Sequence, residues 1–190
     1  MTIKSNFSFL SLAAALAFTV PANAQDFDAG WTALRAGDYE TARTQLEPLA
    51  LAGDDRAMVG MAYLYLNGFG VTENYTIAFR IFRDAADLGN ADAMYAIATG
   101  FYIGEWLEQD FELASEWYKK VEATMEDGPG KTSIEGLRQA AETLAVLEAG
   151  ANRGNVTDQI ALANRYAEDP ILINLDKSIR WFRAAAEQDD

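Results

Sequence analysis

Cysteine and histidine are both absent from these 190 residues. Without cysteine there is no disulfide framework, no thiolate nucleophile, no zinc-thiolate site and no cysteine for a lipid anchor. Without histidine there is no His-based catalytic triad and no imidazole metal site. Basic residues are few: 15 Lys and Arg stand against 29 Asp and Glu, a formal net charge of −14, and no basic run occurs anywhere. A phosphate backbone or an anionic lipid surface needs clustered Lys and Arg, so neither nucleic acid nor such a membrane is an expected partner. The acidity favours solubility and suits a basic partner surface. An uninterrupted apolar run of the roughly 20 residues that span a bilayer is also missing. No carboxylate spacing singles out an acid–base pair or a calcium loop. No catalytic, cofactor-binding or metal-binding residue is therefore expected, and the chain reads as a non-enzyme.

The longest apolar stretch, Phe7 to Val20, is short and interrupted by Ser8, Ser11 and Thr19. Lys4 precedes it, and Pro21 leads into Ala22-Asn23-Ala24, a small-x-small site. This is the layout of a secretory signal peptide over residues 1–24. Residues 25–190 are then the mature domain. The expected destination is the periplasm or the exterior of a bacterial cell, with no membrane insertion after cleavage.

What the chain does have is internal repetition. Gly53-Asp54-Asp55-Arg56-Ala57-Met58-Val59-Gly60 returns 36 residues later as Gly89-Asn90-Ala91-Asp92-Ala93-Met94-Tyr95-Ala96. The same offset links Gly68 to Gly104, Ala78 to Ala114, and Ile81-Phe82 to Trp117-Tyr118. A fixed period of this length marks stacked helical hairpins, each completing its core against a neighbour. Apolar spacing predicts a hairpin over 25–52, repeats over 53–88 and 89–126, a diverged helical segment over 127–153, and a repeat over 154–190. The last matches the template with one residue deleted near Pro170. Pro48 lies inside a helical run and predicts a kink there. In the diverged segment, Glu126-Asp127-Gly128-Pro129-Gly130 reads as a linker, with Thr132 or Ser133 capping the helix after it.

The unit Ala57-Met58…Gly60…Ala62-Tyr63-Leu64-Tyr65-Leu66-Asn67-Gly68-Phe69-Gly70-Val71…Ile77-Ala78…Ile81-Phe82…Ala85-Ala86…Gly89 resembles the Sel-1-like repeat family, a branch of the tetratricopeptide-type solenoids. The first hairpin resembles a tetratricopeptide unit with a shorter loop. Glu105-Trp106-Leu107 replaces the Phe-Gly-Val part of the turn in the second full repeat. The resemblance implies an all-α, right-handed α-solenoid of helix–turn–helix repeats. It also implies an adaptor or scaffold that holds a protein or peptide in its concave groove.

In such a stack the first helix of each hairpin lines the concave face. Arg56, Val59, Tyr63 and Leu66 fall on one stripe there, with Asp92, Tyr95, Thr99 and Tyr102 as their counterparts. Tyrosine suits peptide recognition because it buries a large area and keeps a hydroxyl. Tyr63 and Tyr95 equally suit packing between hairpins. Trp106 is either an exposed anchor or the buried closure of its turn. Alternatives to the peptide scaffold are a self-associating envelope component stacking through its terminal helices, a cell-wall or carbohydrate binder, and a hydrolase.

Overall fold

The computed structural model describes residues 26–188, so the expected signal peptide lies outside the described residues. The described residues form helices and no strand: α1 (Phe27–Ala36), α2 (Tyr39–Leu51), α3 (Asp55–Asn67), α4 (Tyr75–Asp87), α5 (Ala91–Ile103), α6 (Phe111–Ala123), α7 (Pro129–Asn152), α8 (Val156–Glu168) and α9 (Leu175–Ala186). Four hairpins, α1–α2, α3–α4, α5–α6 and α8–α9, follow one another, with the single long α7 between the third and the last. Packing runs between sequence neighbours. The protein is an all-α solenoid.

Caps explain where the helices begin. Every helix except α7 starts on an Asp or Asn whose side chain accepts backbone N–H groups of the first turn: Asp26, Asp38, Asp54, Asn74, Asn90, Asp110, Asn155 and Asn174. That oxygen satisfies donors which otherwise have no intrahelical partner.

Three joints, α2–α3, α4–α5 and α7–α8, are built alike. Gly53, Gly89 and Gly154 sit at φ 94°, 94° and 87°, a left-handed conformation that costs glycine nothing. The next N–H then reaches back to the helix it has left: Asp54 to the Leu49 carbonyl (3.0 Å), Asn90 to Ala85 (3.1 Å) and Asn155 to Gly150 (3.1 Å). This is the Schellman closure. Each Gly–Asx pair therefore ends one helix and caps the next.

Inside the hairpins a second bond recurs. The N–H of Asn74 donates to the Tyr65 carbonyl (2.8 Å), that of Asp110 to Phe101 (3.0 Å) and that of Asn174 to Tyr166 (2.8 Å). The last loop is one residue shorter than the other two, and this is the deletion near Pro170. It lacks the glycine cap of Gly68 and Gly104. Instead the Asp169 carboxylate accepts from the N–H groups of Ile171 and Leu172.

One local expectation is corrected. Helix α7 begins at Pro129, not at Thr132 or Ser133, because proline at the first helical position needs no N–H partner and has a suitable φ. The Thr132 and Ser133 hydroxyls instead donate to the Gly128 and Pro129 carbonyls. Helix α2 runs on through Pro48 to Leu51, and the proline, having no N–H, forgoes one bond of the ladder.

The eighth residue after each second-helix cap forms the spine of the core. Leu46, Phe82 and Tyr118 occupy it and are 0%, 0% and 1% exposed. Leu46 is held between two glycines. A Cβ on Gly30 would lie 2.8 Å from Leu46 Cγ, and one on Gly60 would lie 2.7 Å from its Cδ1. Hairpin α1–α2 thus meets α3 by seating a large side chain in a glycine hollow, the close packing expected of protein interiors. Trp181 is buried, and Trp117 packs half-buried against the core with the Lys120 ammonium 3.7 Å above its ring.

Candidate functional site

Adjacent first helices α3 and α5, with the loops that follow them, enclose a groove of about 380 Å³. Five of the nine candidate residues meet in it: Tyr63, Leu66, Tyr95 and Thr99 of the stripe, and Trp106. Tyr63 is half-buried and stands edge-on to Phe82, with ring centroids 5.1 Å apart. Tyr95 projects from α5 and is 40% exposed. The Thr99 hydroxyl lies 3.4 Å from that of Tyr118 beneath it. Trp106 covers Gly100 and leans on Phe82 (5.8 Å) and Phe79 (6.5 Å) while one side still lines the groove. It both closes its turn and forms a wall.

The other four lie elsewhere. Val59 and Tyr102 are in the core. Arg56 is exposed, pairs with Asp54 at 3.3 Å and lays its guanidinium 4.2 Å from the Phe27 ring. Asp92 is exposed outside the groove lining, close enough to Tyr63 to act on its phenol.

Six lining residues escaped the sequence reading, and three of them bring charge or an aromatic ring: Glu73, Tyr75 and Glu105. They sit in or beside the turns, where no helical period points to them. Tyr75 is 41% exposed, and the Glu73 carboxylate, with burial and Glu105 adding to it, pushes its phenol above the ordinary range. Both carboxylates therefore bear on one hydroxyl. Burial first, then Asp92 and Tyr95, raises the Tyr63 phenol as well. At neutral pH these tyrosines are neutral hydroxyls, able to donate and accept. Among the described residues, neither Glu73, Glu105 nor Asp92 is in an ion pair. The groove is thus aromatic-walled with an acidic rim and no cation in its lining.

A second polar cluster ties the last hairpin back to the third. Gln109 Oε1 accepts from the Tyr166 hydroxyl (2.7 Å) and from Lys177 Nζ, and its Nε2 donates to the Tyr102 carbonyl (2.9 Å). Burial lowers the Lys177 ammonium and raises the nearby Glu148 carboxyl. The hydrogen bonds engage Gln109 fully, so the cluster reads as a structural clasp. Among the described residues no group of three or more Asp or Glu is placed to hold a metal ion.

The described residues thus form a solenoid of capped hairpins with an open, aromatic groove between two of its first helices. A family model described as Sel1 repeat matches residues 55–90, 91–120 and 159–190, more than half of the chain, and the chain belongs to that family. Sel1 repeat proteins generally mediate protein–protein interactions. Among solved structures, a Sel1 repeat protein from Oxalobacter formigenes is similar at 19% identity, with 85% of each chain covered and a TM-score of 0.48. A protective antigen of uropathogenic Escherichia coli strains, described as displaying an SLR fold, is similar at 20% identity and a TM-score of 0.46. That match covers 86% of this chain and 46% of the antigen, so this chain spans less than half of the antigen's length. No curated protein matches the sequence. Among the described residues no helix is long and apolar enough to cross a membrane.

Proposed function

We propose that this protein is an exported, non-catalytic scaffold that holds an extended segment of a partner protein in the groove between α3 and α5. The observation that carries the reading is the convergence of Tyr63, Tyr75, Tyr95 and Trp106 with Glu73 and Glu105 around one cavity. Aromatic faces attract cations, and carboxylates at the rim add charge-assisted hydrogen bonds. The preferred segment therefore carries a Lys or Arg side chain beside an apolar residue. The net charge of −14 draws such a segment in from a distance. Export rests on the signal-peptide pattern of residues 1–24. Mass spectrometry of the protein from the cell envelope should find its N-terminus at Gln25, and an intact leader there would overturn that part.

The binding test uses ten-residue peptides with one central Arg or Lys flanked by Leu, against the same peptides with Gln or Glu at the centre. Only the basic peptides should bind. Affinity should fall with added salt, fall at least tenfold in Tyr75→Ala/Tyr95→Ala, and fall several-fold in Glu73→Gln/Glu105→Gln. Both tyrosines are about two-fifths exposed, so the double variant keeps its melting temperature. Equal binding of Arg and Gln peptides, or full binding by the tyrosine variant, refutes the assignment.

A further inference from the structure

The spine position that is buried in the first three hairpins is open in the last. Leu46, Phe82 and Tyr118 are at most 1% exposed, whereas Phe182, at the same eighth place after its cap Asn174, is 41% exposed. Ile179 is 55% exposed, while its equivalent Phe79 packs against Phe101 (6.2 Å) and Trp106 (6.5 Å) of the following hairpin. Leu175, Ile179 and Phe182 recur at i, i+4 and i+7 and form one apolar stripe along α9. The position that faces a following hairpin inside the stack is apolar here too, with nothing over it among the described residues. A solenoid end normally needs a polar outer face.

The opposite end carries the matching half. The third, sixth and tenth residues after the caps of α3 and α5 are Ala57, Gly60, Leu64 and Ala93, Ala96, Gly100, and all six are buried. Their equivalents on α1, Ala29, Thr32 and Ala36, are exposed. Thr32 corresponds to Gly60, the hollow that receives Leu46. Charge is mixed at both ends: α9 carries Arg180 and Arg183, exposed and in no ion pair among the described residues, beside Asp176 and its cap Glu187, and α1 opens with Asp26 and Asp28 and closes with Arg35.

We infer that the protein stacks head to tail on itself, the open stripe of α9 in one copy receiving α1 of the next. Phe182 then lies against α1 of the next copy near Thr32, the position equivalent to Gly60, and the threonine side chain sets a wider spacing there than the glycine does inside the stack. The two surfaces differ, so the contact is heterologous and grows beyond a pair unless the rotation closes a ring.

The test is sedimentation equilibrium over a wide concentration range on the purified protein and on two variants, Phe182→Glu and Thr32→Glu. Both sites are exposed, and Ile179→Lys serves if Phe182→Glu lowers the melting temperature. The wild type should show a weight-average mass that rises with concentration past that of a dimer. Each variant alone should remain monomeric. An equimolar mixture should form a heterodimer and stop there, because Phe182→Glu keeps a working head and Thr32→Glu a working tail. A wild type that stays monomeric into the hundreds of micromolar overturns the inference. So does a Thr32→Glu variant that still dimerises, which would assign the α9 stripe to a symmetric pair, and so does a mixture that does not associate.

Discussion

Phe82 and Phe182 are the same residue at the same place in two hairpins, and they should differ sharply in what they contribute. Phe82 is fully buried, edge-on to Tyr63 and covered by Trp106 from the following hairpin. Phe82→Ala removes a buried ring and leaves a cavity that α3, α4 and the 105–107 turn cannot close. Losses of this kind run about 3–5 kcal/mol, and the aromatic neighbours place this one near the upper end. Phe182 is 41% exposed, so water fills the space its ring vacates and no cavity term arises. Only the covered part of the transfer free energy is lost, about 1–1.5 kcal/mol. The assay is urea unfolding followed by far-ultraviolet circular dichroism, at protein concentrations low enough to suppress association. Since unfolding of a repeat array is not always two-state, amide exchange of α4 and α9 accompanies it. Equal losses for the two substitutions would refute the idea that each hairpin is completed by the next.

Glycine packing gives a paired prediction. Gly60→Ala pushes a methyl into Leu46, itself pinned by Gly30, and should cost about 1–2 kcal/mol. Gly136→Ala meets nothing within 4 Å in the middle of α7 and should stabilise by about 0.5–1 kcal/mol, both read from urea midpoints. Gln109→Ala leaves the Tyr166 hydroxyl without its acceptor and should cost about 1–3 kcal/mol. Faster amide exchange in α8 and α9 should accompany it, and unchanged exchange there would show that the clasp is not holding. Alkali should unfold the protein through its phenols. Burial raises Tyr118 to about 12 against an ordinary 10, so between pH 10 and 12 the unfolded chain has lost this proton and the folded one keeps it. Stability then falls by up to about 1.4 kcal/mol per pH unit for such a phenol. Tyr63 and Tyr166 shift the same way, whereas the lowered Lys177 opposes them. Tyr118→Phe should flatten the alkaline limb, and an unchanged limb would contradict the sign.

Much of this architecture could be read before the coordinates. The Gly–Asx pairs at 53–54, 89–90 and 154–155 are legible because one glycine and one capping side chain do two separate jobs at each joint. The shortened last loop is legible because Gly154, Ala161 and Tyr166 before it and the Trp181-Phe182 pair after it fix its register. The start of α7 was not, because Gly-Pro-Gly signals a turn as readily as a proline-led first turn. The candidate stripe divides between the groove and the core. Val59 and Tyr95 share a register, yet valine is too short to reach past its neighbours, while the tyrosine ring extends into the groove. Tyr102 faces Phe111 and Tyr118 at 5.7 and 6.3 Å, with Arg165 and Asp169 of the last hairpin close by. That return contact depends on how α7 turns the chain, which no local pattern encodes. Glu73, Tyr75 and Glu105 belong to the groove through loop geometry alone.

The most direct measurement is a photo-crosslinking amino acid placed at Tyr95, in the groove, and in parallel at Val146, which is 69% exposed on α7 away from it. In cells that produce the protein, position 95 should yield a partner adduct whose joined peptide contains a Lys or Arg, and position 146 should not. Adducts of equal yield at both positions, or at 146 alone, would contradict the groove as the place where the partner is held.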